Sequence, residues 1–243
     1  MSNSIQVIHY TNLSLAFIPV LVVVAIHYKW MLDYRNTLYA TVRMIVQLLV
    51  IGYFLVYLID SDSALLIILI LAVMIFSASW IALRTAINLR QKLYKKALFS
   101  IVFGGGLTLL LITQGVLDLQ PWYLPQYMIP IAGMIFASAM TSVSLAIERL
   151  DAEIKREIQY EQARNIAFQA SLIPIINSLF AVGLVSLPGM MTGQILSGIS
   201  PLIAVNYQIM VMCMIFGATG ISSACFLVLV KPDFGCVDTN DRD

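Results

Sequence analysis

The sequence has few charged residues for its length. Only 11% of its 243 residues are Asp, Glu, Lys or Arg, whereas 60% are hydrophobic. The mean hydropathy is +0.89. Soluble domains carry about 25% charged residues, so this composition excludes a soluble enzyme or a nucleic-acid-binding domain. It predicts an all-α, polytopic membrane protein, because helices satisfy their own backbone hydrogen bonds inside a bilayer.

Ionisable side chains are scarce in the apolar runs. All thirteen Asp and Glu residues lie in predicted loops or tails, and the two histidines, His9 and His27, lie at or beyond the ends of the first run. Divalent iron prefers carboxylate or imidazole ligands, and a proton-coupled carrier usually keeps an ionisable relay near the midplane. The sequence therefore argues against a secondary metal transporter and leaves metal ligands unknown.

Cysteine patterns and nucleotide-binding loops are lacking too. Cys213 and Cys225 lie on one predicted helix, about 18 Å apart at helical rise, and Cys236 lies in the C-terminal tail, so no disulfide or metal spacing is present. The glycine cluster Gly104–Gly106 has no G-x-x-x-x-G-K-[ST] pattern. We therefore expect no bound cofactor and no enzymatic activity, and the glycines predict close helix packing or a local bend.

What the sequence does contain is a series of long apolar runs. A helix rising about 1.5 Å per residue crosses roughly 30 Å of hydrocarbon in about 20 residues. The sixth run is the shortest and carries Pro174 near its start. These runs predict about seven spans, near Leu13–His27, Leu38–Ile59, Ala64–Leu83, Ala97–Leu117, Tyr127–Ile147, Ser171–Leu187 and Ile203–Val230.

The basic residues predict the orientation of these spans. Thirteen of the fourteen Lys and Arg residues lie in segments 28–37, 84–96, 148–170 and 231–243, which fall on one side of the membrane. Because basic residues accumulate in cytoplasmic loops, we expect the N-terminus outside and the C-terminus in the cytoplasm. An odd number of spans requires the same arrangement. Residues 1–243 are expected to form a single transmembrane domain.

The densest charge lies in the sequence ERLDAEIKREIQYEQAR, residues 148–164. Asp151 and Lys155 have i,i+4 spacing, as do Arg149 and Glu153, which is typical of a helix with ion pairs along its surface. The pattern predicts a cytoplasmic helix that continues the fifth span. Two interpretations stay open, a solvated hairpin leg with no partner or a surface that binds a soluble protein.

Arg43 and Gln47 are polar residues one turn apart in the second span. A charged side chain at the centre of a span costs about 2.5–3.5 kcal/mol on insertion scales, so Arg43 is expected to face the bundle or a cavity. The alternative is snorkelling, since Arg43 lies close to the cytoplasmic end of its span.

The remaining candidate path residues are methionines, neutral polar groups and a helix break. Methionines beside small residues can form a soft lining, although ordinary packing is the simpler explanation. The Pro-Gly pair at 188–189 predicts a break in the helix and a place in the path or its gate, with a plain structural break as the alternative. These candidates are Met134, Asn177, Ser178, Pro188, Gly189, Met190, Met191 and Gln208, in addition to Arg43 and Gln47.

Two consecutive segments carry a family resemblance. They are SLIPIINSLFAVGLVSLPGMMTG, residues 171–193, and QILSGISPLIAVNYQIMVM, residues 194–212. Together they resemble the C-terminal half of FetB-like permeases, the membrane subunits of a small class of ABC transporters linked to iron export and, in plants, to aluminium tolerance. Leu38–Leu55 and Met128–Met140 are also similar to that family.

The resemblance implies a homodimeric permease in the cell inner membrane, surrounded by lipid, with no nucleic-acid partner. A separate cytosolic ATPase would use the ATP and dock on residues 148–170. The coupling residues expected there are Gln159, Tyr160, Glu161, Arg164 and Phe168. A self-contained secondary carrier or membrane scaffold is the alternative function, since the Leu-Gly-Ala box typical of the family is missing from this loop.

Overall fold

The structure, a computed structural model, describes residues 9–59 and 63–234. Cys236 and Arg242 lie outside these residues. The described chain is nearly all helical, and its one β-bridge joins Val182 to Ser186. The all-α prediction is therefore confirmed. The chain divides into two compact units, residues 1–61 and 62–243, and each is described by itself below; the single-domain expectation stays a prediction.

The first unit contains a helical hairpin. Asp33 accepts a hydrogen bond from the backbone N–H of Asn36 at 3.1 Å and so caps the second long helix, while His27 Nδ1 lies 2.9 Å from Thr37 Oγ1. None of the span residues in these helices is buried within the chain, which suits lipid-facing helices. The helices are α1 (Tyr10–Leu15), α2 (Ile18–Lys29) and α3 (Tyr34–Ile59).

The second unit is a bundle in which one helix, Pro201–Leu229, packs against several others. Its buried residues form a continuous apolar core. A short 3-10 turn, Ile87–Leu89, precedes one helix, and a π-helical turn, Leu111–Val116, follows the same helix. The helices are α4 (Ala64–Ala82), α5 (Arg90–Leu110), α6 (Pro125–Ile154), α7 (Tyr160–Ala181), α8 (Gly189–Leu196), α9 (Pro201–Leu229) and α10 (Lys231–Phe234).

Six of the seven predicted spans match helical segments that are long and apolar enough to cross a membrane. Each segment overlaps its prediction, and most extend further at one or both ends because polar residues continue the helix beyond the apolar run. The segments are Thr11–Lys29, Tyr34–Leu55, Ala64–Ala82, Ile87–Val116, Pro125–Ile154 and Pro201–Leu229.

The predicted sixth span, Ser171–Leu187, has the wrong boundaries. Its apolar residues form only the second half of α7, whose first half is polar. The 22 residues of α7 extend about 33 Å at helical rise, so the helix is long enough to cross. It ends at Ala181, because Val182 is extended and Gly183 has a φ of +82°, a conformation that favours glycine. The helix therefore ends before Pro188, where the break was predicted, and a new helix, α8, begins at Gly189.

Close packing of α5 on α9 explains part of the glycine cluster. A Cβ on Gly104 would overlap Ser222 Oγ and lie 2.6 Å from the Ser222 backbone nitrogen, and one on Gly105 would lie 2.9 Å from the Phe136 ring. Small residues allow membrane helices to approach this closely. The predicted packing role is thus confirmed for Gly104 and Gly105, whereas a Cβ on Gly106 would meet no atom within 4 Å.

We predict that Gly104→Ala destabilises the bundle, because the new methyl group collides with the backbone of Ser222 on α9 as well as with its side chain, and the backbone cannot move aside. Overpacking of this kind costs about 1–3 kcal/mol. Thermal unfolding of the purified protein in detergent measures the effect. The matched control is Gly106→Ala, which meets open space and gains helix propensity, about 1 kcal/mol at most. Equal melting temperatures for the two variants would contradict the close contact.

Candidate translocation cleft and coupling turn

A cleft lined by several hydroxyl groups lies between α6, α7 and α9. Its volume is about 360 Å³. Six of its lining residues carry hydroxyl groups, and the others are apolar. The lining residues are Ala137, Ser138, Thr141, Ser142, Ser171, Pro174, Ile175, Ser178, Met212, Ile215 and Thr219.

Helical spacing brings these hydroxyl groups to one cavity. Ser138, Thr141 and Ser142 have i, i+3, i+4 spacing on α6, and Ser171 and Ser178 lie two turns apart on α7. Residues at these intervals share one face of a helix. The facing surfaces of α6 and α7 are therefore both lined with small polar residues.

Four of the six hydroxyl groups that line the cleft donate to backbone carbonyls. Thr141 donates to the Ala137 carbonyl at 2.9 Å, Ser171 to the Phe168 carbonyl at 2.7 Å and Ser178 to the Pro174 carbonyl at 3.0 Å. Each oxygen keeps lone pairs that can accept further hydrogen bonds. The cleft therefore offers a neutral, acceptor-rich surface within apolar walls.

One hydroxyl joins two helices at the floor of the cleft. Ser142 is 1% exposed, and its Oγ lies 3.0 Å from the Ala139 carbonyl on α6 and 3.2 Å from the Thr219 carbonyl on α9. Its single proton is shared between these two acceptors. Such interhelical hydrogen bonds help to hold membrane helices together.

Of the predicted path residues, only Ser178 lines this cleft. Asn177 is its exposed neighbour on α7, and Met134 is half-buried against the core of α6. Gln208 is 6% exposed, and its Oε1 has no hydrogen-bond partner in the described part of the chain. The other cleft hydroxyls were not predicted, although their helical spacing is a signal that could have identified them.

The residues predicted at the helix break lie around the start of α8. Pro188 is the N-cap of this helix, and Gly189, which is exposed, is its first residue. Met190 and Met191 are half-buried, and Met190 packs against the core of the bundle. None of the four lines the cleft, so their role in a path or gate stays a prediction.

Arg43 and Gln47 belong to the first unit and are both exposed on α3. Gln47 lies beside a shallow apolar groove that Val46 and Phe54 also line. Within residues 9–59 and 63–234, Arg43 has no ion-pair partner closer than 4.0 Å. Its predicted internal role is therefore not seen in the isolated chain.

The charged segment, residues 148–164, includes the turn of the helical hairpin formed by α6 and α7. α6 continues as far as Ile154, which confirms that a helix extends the fifth span, but the segment is not one helix to residue 164. It turns at Glu157, whose φ is +62°, and α7 begins at Tyr160. The expected helix was too long because five residues, 155–159, reverse the chain.

The predicted i,i+4 ion pairs are present on the last turns of α6. Arg149 Nη2 lies 2.6 Å from Glu153 Oε1, and Lys155 Nζ lies 2.5 Å from Asp151 Oδ2. Glu153 is only 2% exposed, and Arg156 lies 3.5 Å from the same oxygen. Two arginines thus compensate a buried carboxylate at the base of the turn.

The predicted coupling residues are not equally accessible. Gln159 and Glu161 are exposed, whereas Arg164 and Phe168 are half-buried beside a small groove between α7 and α9. Tyr160 is buried, and its hydroxyl donates to the Leu227 carbonyl of α9. Tyr160 therefore anchors the hairpin to α9. Contrary to the prediction, its side chain is not accessible to a docking protein.

Comparison with known proteins places the chain in a family. The model of the uncharacterised protein family UPF0014 matches residues 10–164 and 155–234. The chain belongs to this family. Its relatives include the "Probable iron export permease protein FetB" of Escherichia coli K12, 37% identical over 91% of this chain and 92% of the relative. No solved structure matches the chain.

Another UPF0014 relative comes from a plant. It is the "Protein ALUMINUM SENSITIVE 3" of Arabidopsis thaliana, 34% identical over 90% of this chain and 85% of the relative. A cyanobacterial member from Synechocystis, named "UPF0014 membrane protein slr1647", is 42% identical over 73% of this chain and 74% of the relative. These matches and the apolar helices confirm a multi-pass membrane protein of a family that includes a named permease, with a cell inner membrane location consistent with the bacterial relative.

An ion-pair cluster closes the polar end of this UPF0014 bundle. Asp233 on α10 lies 3.3 Å from Lys92 Nζ and 2.5 Å from Lys96 Nζ on α5. Burial alone would raise the pKa of Asp233, but the hydrogen bonds and charges of Lys96 and Lys92 outweigh it and lower the pKa below 3.8. The cluster thus ties the chain after α9 to the start of α5.

We predict that Asp233→Asn lowers the melting temperature at pH 7, because it removes the carboxylate that both lysines contact. A carboxyl group with a lowered folded-state pKa stabilises the fold above its ordinary pKa and loses that effect as the pH falls through the folded value. The difference from wild type should therefore shrink below pH 3.8. A difference in melting temperature that is independent of pH would contradict this explanation.

Proposed function

We propose that this chain is the permease subunit of an ABC transporter, an exporter linked to iron homeostasis that works as a homodimer with a separate cytosolic ATPase. The observation that carries the proposal is that one hairpin, α6 and α7, contributes both to the cleft and to the charged turn. Movement at the turn would therefore shift two walls of the cleft. The E. coli relative, a probable iron export permease with 37% identity, supports the same function.

The chemistry of the cleft favours passage of a cation over tight binding. Within residues 9–59 and 63–234, no three His, Cys, Asp or Glu side chains are grouped so as to hold a metal ion. Neutral hydroxyl oxygens can replace part of a hydration shell, yet they bind divalent cations far more weakly than carboxylates do. Such a lining suits a hydrated or chelated iron species that must also leave the cleft.

The ATPase would grip the exposed part of the turn. Gln159 and Glu161 are exposed at the start of α7, and Arg156 is exposed beside them. Tyr160 ties this region to α9 through the Leu227 carbonyl. A movement of the turn would therefore be transmitted to α7 and α9, two of the helices that line the cleft. Deletion of residues 158–164 would remove Tyr160 together with the exposed residues, so it would not separate loss of docking from loss of the anchor. Point substitutions are therefore the sharper test.

We predict that Gln159→Arg combined with Glu161→Arg reduces co-purification of the ATPase and permease-stimulated ATP hydrolysis at least tenfold. The added cations change the charge of an exposed surface, and the ion pair that Glu161 loses, 3.7 Å from Lys231, is exposed and contributes little to stability, so the permease should still fold and insert. The matched control is Gln126→Arg, the same substitution at an exposed position in the first turn of α6, at the opposite end of that helix. An intact complex with the double variant would direct attention to the basic segment 84–96 instead.

A further inference from the structure

A guanidinium group at the start of α5 is held in an unusual position. Arg90 Cζ lies 3.6 Å from the centre of the Trp80 ring, and its Nη2 donates to the Trp80 carbonyl at 2.7 Å. The Arg90 Nε is buried and has no hydrogen-bond partner in the described residues. Tyr94 contacts the same indole edge-on, with ring centres 5.8 Å apart. The arginine is therefore fixed in place by the indole and the carbonyl of Trp80, and its buried Nε is out of reach of an external ligand.

Positive charge is concentrated in the segment that contains this arginine. Five cations lie between residues 84 and 96, and Asp233 is the one described carboxylate within ion-pair distance of any of them, contacting Lys92 and Lys96. Arg84 and Lys95 are both exposed. The first turn of α5 contains no acidic residue, although the positive end of a helix dipole favours anions. The cluster thus has an excess of positive charge that an external anion could compensate.

The two helices next to these cations, α4 and α5, have exposed apolar faces. On α4, Val73 is 58% exposed, Phe76 52% and Trp80 48%. On α5, Phe99 and Val102 follow Lys95 at i+4 and i+7, so they share its face and are also exposed. On these two membrane-spanning helices, the apolar surface adjoins a tryptophan or basic residues. A bilayer has the same order, because its acyl chains lie next to its headgroups.

We propose that this cluster, formed by Trp80, Arg84, Arg90 and Lys95, is a binding site for the headgroup of an anionic phospholipid. Arg84 and Lys95 bind the phosphate, the guanidinium of Arg90 adds its positive charge, and the exposed faces of α4 and α5 contact the acyl chains. The indole of Trp80 holds Arg90 at headgroup depth through a cation–π contact. Asp233 keeps Lys92 and Lys96 engaged elsewhere, so they do not contribute to the site. The proposal does not depend on the transport function.

Native mass spectrometry of the full chain in detergent tests the site. Phosphatidylglycerol is titrated against phosphatidylcholine with the same acyl chains. Each basic residue near an anionic surface contributes on the order of fivefold in affinity. The double variant Arg84→Gln and Lys95→Gln should therefore bind phosphatidylglycerol more than tenfold more weakly, with unchanged binding of phosphatidylcholine. The charge-conserving pair Arg84→Lys and Lys95→Arg should keep the affinity.

The matched control removes two exposed cations beside the turn between α2 and α3, through Lys29→Gln and Arg35→Gln. Full phosphatidylglycerol binding by this control supports a local site, whereas an equal loss would show that only the overall charge matters and would overturn the proposal. Unchanged binding by the Arg84 and Lys95 double variant would overturn it as well. Two further results would overturn it. Displacement of the lipid by inorganic phosphate would indicate a site for a free anion. Loss of ATPase binding by the Arg84 and Lys95 double variant, with lipid binding intact, would indicate a protein-docking surface.

Discussion

The bundle of residues 62–243 depends on the direct contact between the backbones of α5 and α9 at Gly104 and Ser222. A side chain at Gly104 would penetrate α9, since its Cβ would lie within 3 Å of three Ser222 atoms. Helices in lipid gain little from burying apolar surface and associate mainly through close van der Waals packing and hydrogen bonds. This contact therefore fixes α9 against α5, while Ser142 ties α9 to α6 through the Thr219 carbonyl.

α7 completes the cleft under different constraints from those on α5 and α6. It is joined to α6 by the turn at residues 155–159 and to α9 by the hydrogen bond from Tyr160 to the Leu227 carbonyl. At its other end it stops at Ala181, before the exposed residues Leu184 and Val185. One end of α7 is thus anchored by polar contacts, and the other is followed by a turn rather than by further helix.

The periodic and compositional features of this fold could be predicted from the sequence. The apolar runs, the i,i+4 pairs of α6 and the packing role of Gly104 each follow from local rules of helix geometry, and the structure confirms them. Hydropathy misplaced α7 because that helix begins with polar residues and is apolar only from about Ser171 onward. Its end depends on the backbone conformation of Val182 and Gly183, and an apolar average carries no information about that.

The candidate site was less predictable, because it depends on which helix faces meet. Ser178 was found as a polar residue in an apolar run, but Ser138 and Thr141 gain significance only when α6 packs against α7. Tyr160 was expected to be a coupling residue because of the family resemblance, yet its side chain is buried and bonded to α9. The hydrogen bond that accounts for its position joins residues 67 apart in sequence, beyond the reach of any local pattern.

The most direct measurement for the proposed permease is the chemical accessibility of the cleft through the transport cycle. A cysteine is placed at Ser178, in a background without Cys213, Cys225 and Cys236, and the protein is reconstituted with the proposed ATPase. We expect labelling of this cysteine by a membrane-impermeant thiol reagent to change when the ATPase is trapped with nucleotide, whereas a cysteine at the exposed Leu184 should label equally in all states. Identical labelling of the Ser178 position in every nucleotide state would contradict a cleft that the hairpin opens and closes.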